Sequence, residues 1–245
     1  MRKSIFFTAI ILCYAVTAAL AQSNATDSSI YQQSFQNAVA LYYKSIGENA
    51  HIYNGSEYVA YSAAVNNKNP FFEVASLQNG DIKYDGIVYN NVPLNYDIYK
   101  EEVVINRYNQ NFRIRLAANK IDWFTIDNHL FIKIVADSST KVLGATGFFD
   151  KVYDGSIAVL VKRRKKLDET VTSTGINSQY TEDDRFFIKK DGIYHPVNSK
   201  KSVMHVFGDK KKDVQKLMRK NKIKFKPSLE FGIVKAAQFY DQVKN

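Results

Sequence analysis

From about Ser34 to Val197, apart from a segment ending at Ile46, the chain runs in short stretches where every second residue is apolar, a period that suits β-strands. The pattern is visible in Ile82/Tyr84, Ile87/Tyr89, Phe112/Ile114/Leu116, Leu130/Ile132/Ile134, Ile157/Val159/Val161 and Phe186/Ile188. Five pairs that accept positive φ angles punctuate these runs: Asn54-Gly55, Asn79-Gly80, Asp85-Gly86, Asp154-Gly155 and Asp191-Gly192. Alternation broken by tight turns predicts an antiparallel sheet, either one layer of a β-sandwich or an open, barrel-like sheet. Ser156-Ile157-Ala158-Val159-Leu160-Val161 is apolar on both faces, which predicts a central strand. The six-residue pattern D-x-x-Y-D-G occurs twice, at Asp81–Gly86 and Asp150–Gly155, and shared turn grammar explains it as well as duplication does.

Two segments carry a helical period instead. Phe35, Val39, Tyr42 and Ile46 recur at three- and four-residue intervals, so residues 30–46 read as an amphipathic helix closed by Gly47. After Phe207-Gly208, Asp209 is placed to cap a helix from Lys210 with Val214, Leu217 and Met218 as its apolar stripe. A break at Phe225-Lys226-Pro227 leads to a second helix, apolar over a wide arc through Leu229, Ile233, Ala237 and Tyr240. The expected organisation is therefore a mainly β (α+β) domain over 22–207 with an N-terminal helix, and a basic αα-hairpin over 208–245 packed on the sheet.

Arg2 and Lys3 precede an apolar run from Ile5 to Tyr14, and Ala19-Leu20-Ala21 follows, which reads as a cleavable signal peptide over 1–21. The run is shorter than the roughly 20 residues of a membrane span, so no transmembrane segment is expected in the mature chain. Cleavage removes Cys13, the one cysteine, and with it any disulfide, cysteine nucleophile or thiolate metal site. A thiol-free chain suits an oxidising compartment, so the expected location is the periplasm, the outer-membrane surface or the exterior. Sixteen Tyr and sixteen Phe against one Trp favour packing on pleated faces. With only four prolines, the irregular segments expected are Ser23–Ser29 and a loop from Asp168 to Asp184.

Charge is uneven. Residues 22–150 carry 10 Lys and Arg against 13 Asp and Glu, whereas residues 151–245 carry 22 against 11. The net of +10 thus belongs to the C-terminal part. Two groups carry it: the run Lys162-Arg163-Arg164-Lys165-Lys166, and Lys211, Lys212, Lys216, Arg219 and Lys220 on the first C-terminal helix. On one face they would form an anion-binding surface, and otherwise a solvated face. Export makes nucleic acid an unsuitable partner, so an envelope protein, an anionic lipid or an acidic polysaccharide is expected.

The stretch from Val203 through Asp209-Lys210-Lys211-Lys212 to Phe225, ahead of Phe239-Tyr240-Asp241, resembles the C-termini of an uncharacterised family of exported proteins in Gram-negative envelopes. Asn54-Gly55-Ser56-Glu57-Tyr58 and the tract from Tyr84-Asp85-Gly86 through Val92-Pro93-Leu94 to Tyr96-Asp97 resemble the same group. The resemblance implies location and architecture, and brings no catalytic residue or ligand with it.

Catalytic motifs are missing: there is no G-x-S-x-G, H-E-x-x-H, G-x-x-x-x-G-K-[ST] or G-x-G-x-x-G. His51, His129, His195 and His205 stand singly, without ligand spacing, so no metal and no cofactor is expected. Asp122, Asp127 and His129 flank Trp123 and are the candidates for an acid/base group on one sheet edge, which would make a hydrolase of saccharides or esters. The aromatic set Tyr53, Tyr58, Tyr61, Phe71, Phe72, Tyr84, Tyr89, Tyr96, Tyr99 and Trp123 suits a carbohydrate face or, more simply, a core. The sequence favours a non-catalytic envelope binding or assembly protein using its basic C-terminal face, ahead of the hydrolase and of a surface-structural, adhesin-like domain.

Overall fold

The computed structural model describes residues 30–35, 37–39, 41–42, 45–60, 69–108, 110, 112–173 and 175–244. The expected signal peptide, the Ser23–Ser29 leader and Tyr61 lie outside them. Two compact units divide the chain, Met1–Ala50 and His51–Asn245. In the first, residues 30–35, 37–39, 41–42 and 45–46 are helical and form α1, with Ile30, Tyr31, Phe35, Leu41 and Tyr42 exposed. Gly47, at φ 52°, ends it in the left-handed conformation that glycine adopts without strain.

The second unit is mainly β. Its strands among the described residues are β1 (Ser56–Glu57), β2 (Gln78–Tyr84), β3 (Ile87–Asp97), β4 (Glu102–Asn106), β5 (Arg113–Arg115), β6 (Ile121–Ile126) and β7 (His129–Ile134). They continue as β8 (Gly147–Asp154), β9 (Ala158–Lys162), β10 (Lys165–Thr172), β11 (Gly175–Glu182), β12 (Arg185–Lys190) and β13 (Ile193–Val197). Eleven of them form one antiparallel sheet in the order β1-β5-β4-β3-β2-β6-β7-β8-β9-β12-β13, and β10 with β11 forms a separate two-stranded ribbon. Of the two arrangements the sequence allows, the open sheet is the one present: among the described residues no second large sheet faces it and its end strands β1 and β13 do not pair. It curls strongly nonetheless: Lys165 N donates to Ile98 O at 3.4 Å, bringing the end of β3 to the end of β9.

Turn chemistry sets the strand order only in part. Asp85-Gly86 and Asp191-Gly192 make two-residue hairpins with both residues at positive φ, and Asp154-Gly155 opens the β8–β9 connection. Asn79-Gly80 does not turn the chain; it lies inside β2 at a register shift. A Cβ on Gly80 would overlap the Thr125 carbonyl oxygen, so this glycine allows β6 to approach rather than β2 to reverse. The two D-x-x-Y-D-G tracts end differently, since Gly86 has φ 80° while Gly155 is not in that region. Asp168–Asp184, expected as a loop, is the β10–β11 ribbon, registered from Lys165↔Glu182 to Thr172↔Gly175. Its polar residues sit on an arm that is solvated on most of its surface, so the apolar alternation that marks a half-buried strand is weak there.

Aromatics fill the curl. Tyr96, Phe124, Phe131 and Phe148 are buried with ring centroids 4.9–5.9 Å apart, mostly edge to face. Tyr58, Phe71, Phe72, Tyr84 and Tyr89 are also buried, so the aromatic set is chiefly core and not a carbohydrate platform. Tyr58 Oη donates to Asp97 Oδ2 at 2.8 Å, and Asp97 Oδ1 accepts the Tyr99 and Lys100 amides at 2.9 and 2.8 Å. Burial pushes the Asp97 pKa up, and these three donors pull against it. Tyr58→Phe removes one of them and is expected to lower the unfolding free energy by about 1–3 kcal/mol, as read from urea denaturation.

Three helices cover part of the sheet: α2 (Lys200–Val206), α3 (Lys211–Lys220) and α4 (Leu229–Lys244). The sequence reading has α3 and α4 but not α2, which Ser199 starts by a capping box with Ser202. Asp209 does not cap α3; it lies in a short 3-10 turn over Gly208–Lys210. Val203, Met204, Val214, Met218, Ile233, Ala236, Ala237 and Tyr240 pack against Ile157, Val159, Ile188 and Val197 of the sheet region. Leu160 faces the other way, with Phe149, Phe187 and Leu143, which makes β9 buried on both faces as its sequence predicts. Carboxylates pin α4 near both ends: Glu230 to Arg163, and Asp241 to the Tyr153 hydroxyl at 2.7 Å and to the Ser156 amide and hydroxyl.

Candidate functional site

Arg163 leaves β9 directly after four buried residues, so its side chain begins beneath the surface and only 8% of the residue is exposed. A cation there requires anions around it. Arg163 Nε and Nη2 donate to Asp150 Oδ2 at 2.9 and 2.6 Å, Nη1 to Asp184 Oδ2 at 2.8 Å, and Nη1 and Nη2 to the two Glu230 oxygens at 2.6 and 3.0 Å. Its guanidinium carbon lies 5.7 Å from the Phe72 ring centroid. Burial opposes its charge, but the three carboxylates outweigh burial and raise its pKa. Burial likewise raises the Asp184 pKa, with Arg163 holding it down.

His129 joins the same cluster. Its Nδ1 is 2.7 Å from Asp150 Oδ2, its Nε2 lies 3.9 Å from Glu73, and Phe72 packs edge-on at 4.9 Å. Asp150 fixes the ring orientation and favours the imidazolium. The other Asp150 oxygen, Oδ1, is buried with no hydrogen-bond partner. Clefts of about 330 and 370 Å³ adjoin the cluster, and His129 and Glu230 line both.

The hydrogen bond to Asp150 raises the His129 pKa above its ordinary 6.5, and burial opposes the shift. A raised pKa means that the folded state holds the proton more tightly. The stabilisation is therefore complete below about pH 6.5 and lost as pH rises through the folded pKa. Urea denaturation from pH 5.5 to 8.5 is expected to show a wild-type margin over His129→Gln that shrinks as pH rises; a constant margin would contradict the pairing.

Asp122 and Asp127 do not join His129. Asp122 is exposed on β6 and pairs with Lys83 at 2.9 Å, and Asp127 is the exposed first residue of the β6–β7 hairpin, at φ 52°. The expected acid/base trio does not form, because one member is tied to a neighbouring strand and another makes a turn. Asp150, Asp184, Glu230 and Glu73 surround His129 and Arg163 instead, and sequence reasoning missed all four. One signal was available: Gly147-Phe148-Phe149-Asp150 sets a carboxylate in an apolar strand, where it needs a partner.

The basic run is not an open face either. Lys162 is buried, 2.6 Å from Glu101 and 5.0 Å from the Phe149 ring centroid, and Arg163 is enclosed as described. Lys165 Nζ donates to the Asn69 and Phe71 carbonyls at 3.0 and 2.5 Å. Arg164 and Lys166 reach Asp183 at 3.9 and 2.8 Å. These residues serve the join between sheet, ribbon and helices. By contrast Lys211, Lys212, Lys216, Arg219 and Lys220 are exposed along α3, and none is in an ion pair among the described residues. Burial of Val214 and Met218 turns this row outward.

No known protein family, characterised protein or solved structure matches this chain. The resemblance to an envelope family therefore gains no support from them and lends no residue a role. Among the described residues no helix is long and apolar enough to cross a membrane, and no group of three or more His, Cys, Asp or Glu is placed to hold a metal ion.

Proposed function

We propose that this is an exported cell-envelope binding protein that meets an anionic partner through the outward row of α3. The observation that carries the reading is a contrast between the two basic groups. The 162–166 run is paired within the chain, with Lys162 and Arg163 buried and Lys166 exposed beside Asp183. Residues 210–226 instead carry nine Lys and Arg against one Asp, and the α3 members Lys211, Lys212, Lys216, Arg219 and Lys220 face solvent without an ion pair among the described residues. Leaving like charges unneutralised on one helix costs some stability, and an anionic surface would relieve that repulsion. A lipid headgroup layer, an acidic polysaccharide or an acidic protein face all supply it.

Co-sedimentation with phosphatidylglycerol vesicles and retention on an acidic polysaccharide test the reading, with phosphatidylcholine vesicles and a neutral polysaccharide alongside. Retention on an anionic surface, lost when Lys211, Lys212, Lys216, Arg219 and Lys220 are changed together to Glu, is expected. Retention on neither surface, or retention indifferent to the change, would overturn it.

A further inference from the structure

Behind the row of α3 lies a groove of about 610 Å³, within the size range of small-molecule sites. Its apolar lining is Met204 of α2, Met218 of α3, and Ile223, Phe225, Pro227 and Leu229 from the segment that enters α4. Lys200, Arg219, Lys224 and Lys226 supply the charge along it, and no carboxylate lines it. Gly232 holds the segment in place: a Cβ there would come within 2.6–2.8 Å of Phe225, so glycine lets α4 press directly on that residue. A second trough of about 360 Å³, lined by Val142, Phe186 and Pro196 among others, shares Asn198 and Leu229 with the first. Asp184 and Arg185 also line this second trough, so the purely basic lining belongs to the first groove alone.

We infer that this groove takes the hydrocarbon chain of a free, single-chain anionic amphiphile, a long-chain carboxylate, with its headgroup among the cations of the rim. The inference rests on the proposed anionic partner and names its chemistry. A mainly apolar floor matches an acyl chain, and four cations with no acid in the lining match one negative headgroup and disfavour a neutral or cationic one. Two methionines on the floor give a surface that adapts to flexible chains.

Calorimetric titration with sodium decanoate, laurate and myristate, each below its micelle concentration, reads the inference directly. Affinity is expected to rise about fourfold per added methylene, with acetate silent and dodecyl maltoside, which has a neutral head, at least tenfold weaker than laurate. Gln215→Trp, which fills the groove from α3, is expected to weaken laurate at least tenfold. The exposed pair Lys224→Glu and Lys226→Glu is expected to weaken laurate and leave dodecyl maltoside unchanged. Thermal melts check that each variant folds, and Ile223→Gln replaces Gln215→Trp if that chain does not. Affinity independent of chain length, equal binding of laurate and dodecyl maltoside, or full binding by the blocked variant would each overturn the inference. So would a dimer in sedimentation equilibrium that Gln215→Trp dissociates, since the groove would then hold a second copy. Vesicle binding lost on reversal of the α3 row, with no laurate binding, would overturn the groove alone and leave the proposed function standing.

Discussion

Arg163→Ala is expected to lower the unfolding free energy by about 3–5 kcal/mol, because it leaves a cluster of buried or half-buried carboxylates without their cation. Asp150 is wholly buried, and Glu230 and Asp184 are partly so. The loss is thus mainly the penalty on what remains, and two tests separate that from lost packing. Arg163→Lys should recover only part of the stability, since a single ammonium cannot offer the forked contacts made to three acids. Adding Glu230→Gln and Asp184→Asn to Arg163→Ala should also restore part of it, by removing the stranded charge. Urea denaturation followed by circular dichroism gives the differences, and hydrogen exchange should show α4 losing protection first. A loss under about 1 kcal/mol would mean that the pairs behave as solvated surface contacts.

The five-residue reversal on α3 carries the other large effect. Each basic residue near an anionic surface adds about 1 kcal/mol, so removing five contributions weakens binding by roughly three to four orders of magnitude at low salt. Screening lengths shrink from about 8 Å at physiological ionic strength to about 3 Å at 1 M, so the wild-type protein should detach in concentrated salt without unfolding. The reversal must be made on α3, since acids at Lys162 and Arg163 would be buried beside Glu101, Asp150 and Glu230, and the chain would lose its fold together with its charge. Unchanged affinity in a folded α3 variant would remove the basis of the proposed function.

Much of the fold was legible because the strands announce themselves locally. Ile82/Tyr84 and the doubly apolar Ala158–Val161 gave the sheet, and Asp85-Gly86 and Asp191-Gly192 gave two of its hairpins. What escaped depends on approach between distant segments. Gly80 looks like a turn residue until β6 is beside it, and Lys162-Arg163 look like surface charge until Asp150, Glu101 and Glu230 surround them. A basic run after an apolar strand has two meanings, an open face or the anchor of a buried network, and only the partners 13 and 67 residues away from Arg163 decide between them. On α3 no distant partner intervenes, and its amphipathic spacing was enough to place the exposed row.

The ribbon formed by β10 and β11 is about 26 Å long at strand spacing, and it is bolted at its root. Arg164 N donates to Asp184, Asp183 N donates to the Arg164 carbonyl, and Asp184 also holds Arg163. Near the far end Val171 and Ile176, directly opposite one another across the ribbon, stand in solvent. Asp184 is thus shared between the ribbon root and the guanidinium that seats α4, so one acid serves both attachments.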